Sequence, residues 1–336
     1  MRKISSTLFD LVQQLNTGGV HSGESLAETL KISRNAVWKH IHQLMKYGVE
    51  IDSLSGKGYQ LKAPLFLLNL QEMTQPPIKV GLPIHDIHIF GSIASTNDEV
   101  RLLPRPQEGE LVCCLAEHQT KGRGRFDRKW VSPFGQNMML SMRVFLNKDI
   151  SVLGGLTLAV SLAVRKALES FGLFSAQCKW PNDIYVEGKK LAGILVEAYG
   201  ESHGLTELVI GIGLNVNMIE GGEEASGIEK PWISMQELLF LPQNRSAVAR
   251  ELIGVVSLYL SRFLEQGFDD FIEEWSVSDA LVNEFITLKI GSQEIIGIAR
   301  GINPLGHLKI EASDGKIMSF SSGEASVSGQ ITGFLT

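Results

Sequence analysis

The chain is 336 residues long, 44% hydrophobic and 20% charged, with a net charge of −6. That length and apolar content exclude a disordered chain and leave room for two or three cores. Three cysteines, two of them adjacent (Cys113, Cys114), give no disulfide framework and no C-x-x-C metal pattern; they read as small strand hydrophobes of a reducing compartment.

The first 62 residues hold eight Lys/Arg against five Asp/Glu, so a basic unit precedes an acidic body, a reason to look for a DNA-binding module. Residues 4–15 place Ile4, Leu8, Leu11, Val12 and Leu15 on one helical stripe that Gly18-Gly19 ends. SGESLAETL predicts a second, short helix with Leu26, Ala27 and Leu30 inward. KISRNAVWKHIHQLMKYG predicts a third, with Ser33 as N-cap and Gly48 at its stop. Val37, Ile41 and Leu44 form its buried stripe, which leaves Asn35, Lys39, His42 and Lys46 on the outer face. VEIDSLSGKGYQL alternates, turns over Ser-Gly-Lys-Gly and alternates again, as a β-hairpin does. This order predicts a winged helix-turn-helix whose third helix enters a major groove. Its DNA-facing set is Ser22, Ser33, Arg34, Asn35, Lys39 and His42, with Lys57 of the wing near the backbone. A three-helix protein-interaction module is the alternative.

After the KAPLF linker the pattern changes. From about 83 to 275, strand-like runs (IHIFGSI, ELVCCLAEHQ, NMMLSMRVFL, AQCKWPNDIYV, KLAGILVEAY, ELVIGIGLNVN) alternate with helical stretches at about 152–171 and 245–274. Strands joined by short turns with few helices predict an α+β domain on a mixed sheet. From 280 onward, short alternating strands with Gly-Ser, Asn-Pro-Leu-Gly and Asp-Gly turns predict a small β-barrel. The expected domains are 1–62, 63–278 and 279–336. No signal-peptide core opens the chain. The apolar run VLGGLTLAVSLAV meets Arg165 and Lys166 short of the ~20 residues of a bilayer span. No membrane partner and a cytoplasmic location are therefore expected.

TKGRGRFDRKW, Thr120 to Trp130, sets five cations around Gly122 and Gly124. Glycines let a backbone approach an anion, and arginine forks pair with phosphate oxygens. No Walker A motif and no dinucleotide fingerprint is present. Alone, such a loop reads as solvated surface; its company alters that. KWPND puts Lys179, Trp180, Pro181, Asn182 and Asp183 into an apolar run, and Pro181 marks an edge or bulge. Trp180 as core and Asp183 as a turn residue are the plain alternatives. Lys190 opens an apolar strand that contains Gly193. Gly211 to Asn217 sets two glycines and two amides into another, where a ligand approach and a bulge are equally ordinary causes. Ser95, Thr96 and Asn97 precede a helix, as an N-cap, as ligand contacts, or as both.

These segments, in order and at family spacing, resemble the biotin protein ligase catalytic domain. With the helix-turn-helix pattern in front, nearly the whole chain resembles the bifunctional biotin ligases and biotin operon repressors of bacteria. The resemblance implies a class II synthetase-like catalytic domain, an SH3-like C-terminal domain, and biotin, ATP and Mg²⁺ as ligands. It implies that biotin is joined to ATP as biotinyl-5′-AMP, then passed to one lysine of a carrier protein. By the same resemblance Ser95, Thr96, Asn97, Gln119, Gly122, Arg123, Gly124, Arg125, Lys190, Gly193 and Gly211 hold biotin. Arg125, Arg128, Trp130, Lys179, Asn182, Asn215 and Trp232 hold the adenylate, and Lys190, Arg123, Arg125 and Asp183 carry the chemistry. Mg²⁺ rides on substrate phosphates with no protein cage. Operator DNA and a homodimer formed on biotinyl-AMP are the implied partners.

Two departures stand out. Phe126-Asp127 occupies positions where a small, basic pair is expected, and Ser328 stands where some relatives place arginine, so no phosphate contact is expected from the C-terminal domain. The acidic, glycine-rich 218–231 stretch is expected to order over the adenine. A lipoate or octanoate ligase on the same scaffold, a ligand-responsive transcription factor with a degenerate catalytic domain, and a ligase whose N-terminal module binds no DNA remain alternatives.

Overall fold

The computed structural model describes residues 6–75, 81–200, 205–220 and 228–328. Ile4 of the first helix, residues 221–227 of the 218–231 stretch and the chain beyond 328 lie outside these residues. Helices α1 (Ser6–Leu15), α2 (Gly23–Leu30) and α3 (Arg34–Lys46) are followed by strands β1 (Ile51–Leu54) and β2 (Gly58–Leu61). Ser22 Oγ accepts from Ser25 N, and Ser33 Oγ from Ala36 N, so both serines spend their hydroxyls on caps. β1 and β2 pair antiparallel, and His21 extends the wing by a bridge to Tyr59. A Cβ on Gly58 would stand 2.0 Å from the His21 carbonyl, which only glycine avoids.

The central domain comprises α4 (Leu70–Met73), β3 (Ile84–Ile93), α5 (Thr96–Leu102), β4 (Leu111–Gln119), β5 (Met138–Leu146), α6 (Leu156–Glu169), β6 (Gln177–Lys179), β7 (Asp183–Val186), β8 (Lys189–Tyr199), β9 (Thr206–Leu214), α7 (Met235–Leu239), α8 (Arg245–Gln266) and α9 (Ile272–Ser278). Its seven-stranded sheet runs β3-β4-β5-β9-β8-β7-β6. Only β3 and β4 are parallel; the other neighbours are antiparallel. The sheet is therefore mixed, as expected. β5 is buried along its whole length, and α6 packs against α8, β6, β7 and β8.

Three expectations need correction. AQCKWPNDIYV is a hairpin of β6 and β7, with Pro181 in the turn at the sheet edge. The 245–274 helix stops at Gln266, because Gly267 takes φ +75 and the chain restarts as α9. Ile150–Glu169, among the described residues, is long and apolar enough to cross a membrane by length and composition, so Arg165 and Lys166 do not end the stretch. Arg165 instead turns onto the Ala176 carbonyl (2.9 Å) and Glu169, and α6 serves as a core helix.

β10 (Phe285–Ile290), β11 (Gln293–Ile302), β12 (Leu308–Glu311), β13 (Ile317–Phe320) and β14 (Glu324–Val327) form a five-stranded antiparallel sheet ordered β13-β12-β11-β10-β14. It docks through Trp180, which is 2% exposed and donates Nε1–H to the Gly306 carbonyl at 3.1 Å. Trp180 is thus core, the plainer of its two readings.

The N-terminal unit is held to the central domain by specific contacts. Leu65, Leu67 and Phe134 share its hydrophobic core, and Tyr47 stacks on Phe134 at 4.8 Å. Asn16 bonds both backbone groups of Leu65. Further along, Glu117 and Arg245 form an ion pair with both side chains wholly buried. Glu117 accepts from Leu68 N at 2.6 Å, and Arg245 donates to the Phe66 carbonyl at 3.1 Å.

Candidate active site and DNA-binding face

The site lies on one face of β8 and β9, where three glycines make a floor. Gly193 pairs with Gly213, and Gly211, two residues earlier in β9, lies on the same face. A Cβ on Gly211 would meet Asn97 Oδ1 at 2.4 Å, and one on Gly213 the Trp130 ring at 2.5 Å. A Cβ on Gly193 would come within 3.1 Å of Lys190 Nζ. Each glycine therefore admits a functional side chain, rather than relieving backbone strain.

At one end, α5 and β4 bring hydroxyls and amides together. Gln119 Oε1 accepts from Thr96 N (2.6 Å) and from Thr96 Oγ1 (3.1 Å). Gln119 thus caps α5, and Ser95, buried at the N-cap position, makes no side-chain cap bond. Ser141 Oγ lies 2.7 Å from Thr96 Oγ1 and 2.5 Å from Asn97 Oδ1. Asn97 donates Nδ2–H to Glu197 (2.6 Å). Such a chain offers donors and acceptors to a polar head group within an apolar sheet.

The basic segment is a closed hairpin. Trp130 N donates to Gly122 O, Gly124 N to Arg128 O, and Arg123 bridges Lys129. A Cβ on Gly122 would meet the Trp130 carbonyl at 2.9 Å, which fixes that glycine, whereas Gly124 has room. At the tip, Phe126 and Asp127 adopt φ +56 and +53, left-handed conformations unusual for such side chains. Arg125 and Arg128 lie over the Phe126 ring, 5.0 and 5.9 Å from its centroid. The unexpected phenylalanine therefore offers its ring to two guanidinium groups.

Each cation of the site is already partnered. Arg123 forks onto Asp98 (2.9 and 2.8 Å) and reaches Glu197 (3.1 Å); chiefly through Asp98, its pKa is raised. Arg125 donates to Asn182 Oδ1 and the Gly323 carbonyl, both at 3.3 Å, and burial lowers its pKa. Arg128 and Lys230 both pair with Glu324, whose carboxyl is held down at about 2, first by Arg128. Lys190 pairs with Asp183 at 2.8 Å, with Nζ 5.6 Å from the Trp130 ring. Lys179 lies over Tyr185 at 4.2 Å, and burial lowers its pKa. Cys178 behind it is fully buried, its thiol pushed up to about 12 by burial.

Asn182 and Asn215 are pinned by the backbone. Asn182 Nδ2 donates to Ile194 O (2.8 Å), and Asn215 Nδ2 reaches Lys190 O (3.3 Å) and Ile233 O (3.2 Å). Trp232 bridges Lys190 at the start of β8. Trp130 Nε1 is buried with no hydrogen-bond partner, an orphaned donor. Among the described residues no cluster of His, Cys, Asp and Glu could hold a metal.

Sequence reasoning missed Ser141, Asp98, Glu197 and Glu324. Ser141 carried a signal: a lone hydroxyl in the middle of an apolar strand. The three carboxylates carried none, being far along the chain from the arginines they pair with. Ser328 bonds Thr287 inside its own sheet (2.7 Å); the neighbouring Gly323 and Glu324 bring the C-terminal domain to the basic hairpin. On the DNA-binding unit, Arg34, Asn35, Lys39 and Lys57 are exposed, while His42 is half-buried against Trp38.

Fold and site define a class: a carboxylate-activating protein ligase carried behind a helix-turn-helix. Residues 90–215 match the Biotin/lipoate A/B protein ligase family, 7–60 an HTH domain and 282–328 the Biotin protein ligase C terminal domain. The bifunctional ligase/repressor BirA of Escherichia coli (strain K12) is 38% identical over 94% of this chain and 96% of its own. That of Bacillus subtilis (strain 168) is 31% identical over 91% and 94%. A solved biotin protein ligase from Aquifex aeolicus, in complex with biotin and ATP, superposes with TM-score 0.62 at 30% identity, covering 73% of this chain and all of that one. The chain belongs to the bifunctional biotin ligase/repressor family.

Proposed function

We propose that this protein activates biotin with ATP and transfers it to a lysine of a carrier protein. We take 1–62, 63–278 and 279–336 as its DNA-binding, catalytic and SH3-like domains. The observation that carries the reading is the glycine floor, on which Asn97, Trp130 and Lys190 lie close-packed in a row from the Thr96–Asn97–Gln119 cradle to the Lys190–Asp183 pair. The ureido head of biotin sits in the cradle, with Ser95 and Ser141 beside it, and its carboxylate reaches Lys190. A carboxylate oxygen attacks the α-phosphorus of ATP and pyrophosphate leaves, giving the mixed anhydride.

Because both reactants are anions, charge neutralisation and alignment dominate this step. Lys190 turns from Asp183 to the reacting oxygens; Arg123, Arg125 and Arg128 exchange carboxylate or carbonyl partners for phosphates. Mg²⁺, for which the described residues offer no carboxylate or imidazole cluster, would supply further charge neutralisation when bound together with ATP. Trp130, with its orphaned Nε1–H, Trp232, Lys179, Asn182 and Asn215 surround the nucleotide. Asp183, released by Lys190, accepts a proton from the incoming lysine, which attacks the acyl carbon as a neutral amine and expels AMP. With biotinyl-AMP bound, two copies pair and the winged helices read a palindromic operator, repressing biotin synthesis genes in the cytoplasm.

ATP–pyrophosphate exchange measured with biotin and with lipoate tests the substrate. Exchange with biotin alone supports the reading, and exchange with lipoate alone overturns it. A mobility shift independent of biotin and ATP would contradict the repressor half.

A further inference from the structure

Trp38, on the outer face of α3, is used by neither the core nor the ligase site. Trp38 is 48% exposed, between the buried stripe and the cationic edge of the helix. Its ring is held in place, with its centroid 3.9 Å from that of His42, whose Nδ1 meets the Trp38 carbonyl at 3.0 Å. Trp38, Lys39, His42, Gln43, Lys46 and Tyr47 line an open concavity of ≈ 330 Å³. The helix carries Arg34, Lys39 and Lys46 and no acidic residue. Whatever covers this indole must therefore offer an apolar group among negative charges. A major groove does so: it admits a helix, its walls are phosphates, and the thymine 5-methyl is the apolar group on its floor.

We propose that Trp38 is a specificity-determining DNA contact, packing its indole face on a thymine methyl while Lys39 and Lys46 pair with flanking phosphates. The proposal rests on α3 being the recognition helix. The test uses the full chain with biotin, ATP and Mg²⁺, and a duplex it selects from a random pool. Replacing one thymine of that duplex by deoxyuridine, which lacks only the methyl, weakens wild-type binding about tenfold. Trp38→Ala weakens binding to the unmodified duplex by a similar factor and no longer responds to that replacement. Its salt dependence stays that of wild type, because no phosphate contact is lost, whereas Lys39→Ala lowers the salt slope by about one.

Biotin-dependent pyrophosphate exchange is unchanged in Trp38→Ala. Wild-type indifference to every thymine-to-deoxyuridine replacement overturns the proposal, without reliance on any variant's folding. Equal weakening of Trp38→Ala on selected and random DNA also overturns it. If no duplex is enriched, DNA reading by this module falls and the proposal with it; if Lys39→Ala changes the slope while Trp38→Ala binds as wild type, only the proposal falls.

Discussion

Lys190 and Asp183 face each other at 2.8 Å; in the proposed mechanism they serve different half-reactions, so their substitutions separate. Lys190→Gln removes the cation that meets the developing charge and lowers biotin-dependent pyrophosphate exchange by about 10²–10³-fold, the scale of losing one preorganised donor. Asp183→Asn keeps exchange largely intact and slows transfer to a carrier lysine by about 10²-fold or more, measured in single turnover from preformed adenylate. Gly211→Ala adds a methyl 2.4 Å from Asn97 Oδ1 and raises KM for biotin with little effect on KM for ATP. Residue types singled out the segments, and the family resemblance supplied the candidate roles. What they could not carry was pairing: Asp98, Glu197 and Glu324 meet arginines 25, 74 and 196 residues away, a relation only the folded sheet creates.

Elements were legible where periodicity was long and uninterrupted, as in α3 and β5, whose patterns match their burial. They were misread where one residue broke the pattern: Gly267 divides α8 from α9, and the Trp180–Asn182 turn divides β6 from β7. The basic hairpin belongs at this scale too, since Glu324 of β14 ties its tip to the C-terminal sheet through Arg128. Because the folded carboxyl is depressed to about 2, its contribution is full above the usual carboxylate range and is lost as pH falls toward 2. In acid titration followed by circular dichroism, Glu324→Gln is less stable than wild type at pH 6, and the two converge near pH 2.

Across the whole molecule, strand β4 connects ligand and DNA-binding units: Gln119 reaches the cradle while Glu117, two residues earlier, anchors the linker through Leu68 and Arg245. Breaking a buried pair by removing one charge leaves the other unpaired, so Glu117→Gln costs about 3–5 kcal/mol in denaturant unfolding. His118 lies between them, 5.8 Å from Tyr47 and 2.9 Å from Ser92 Oγ, with its pKa lowered by burial. Its unfolded state binds the proton more readily, so stability falls as pH drops below the ordinary imidazole range; His118→Gln flattens that slope. The central claim, that this glycine floor builds and keeps a biotinyl adenylate, is tested most directly by mass spectrometry of the protein after incubation with biotin, ATP and Mg²⁺, then desalting. The account predicts biotinyl-5′-AMP retained by the wild type and less of it by Arg123→Gln or Arg125→Gln. A wild type that emerges without adenylate, or retains a lipoyl adenylate in its place, would contradict it.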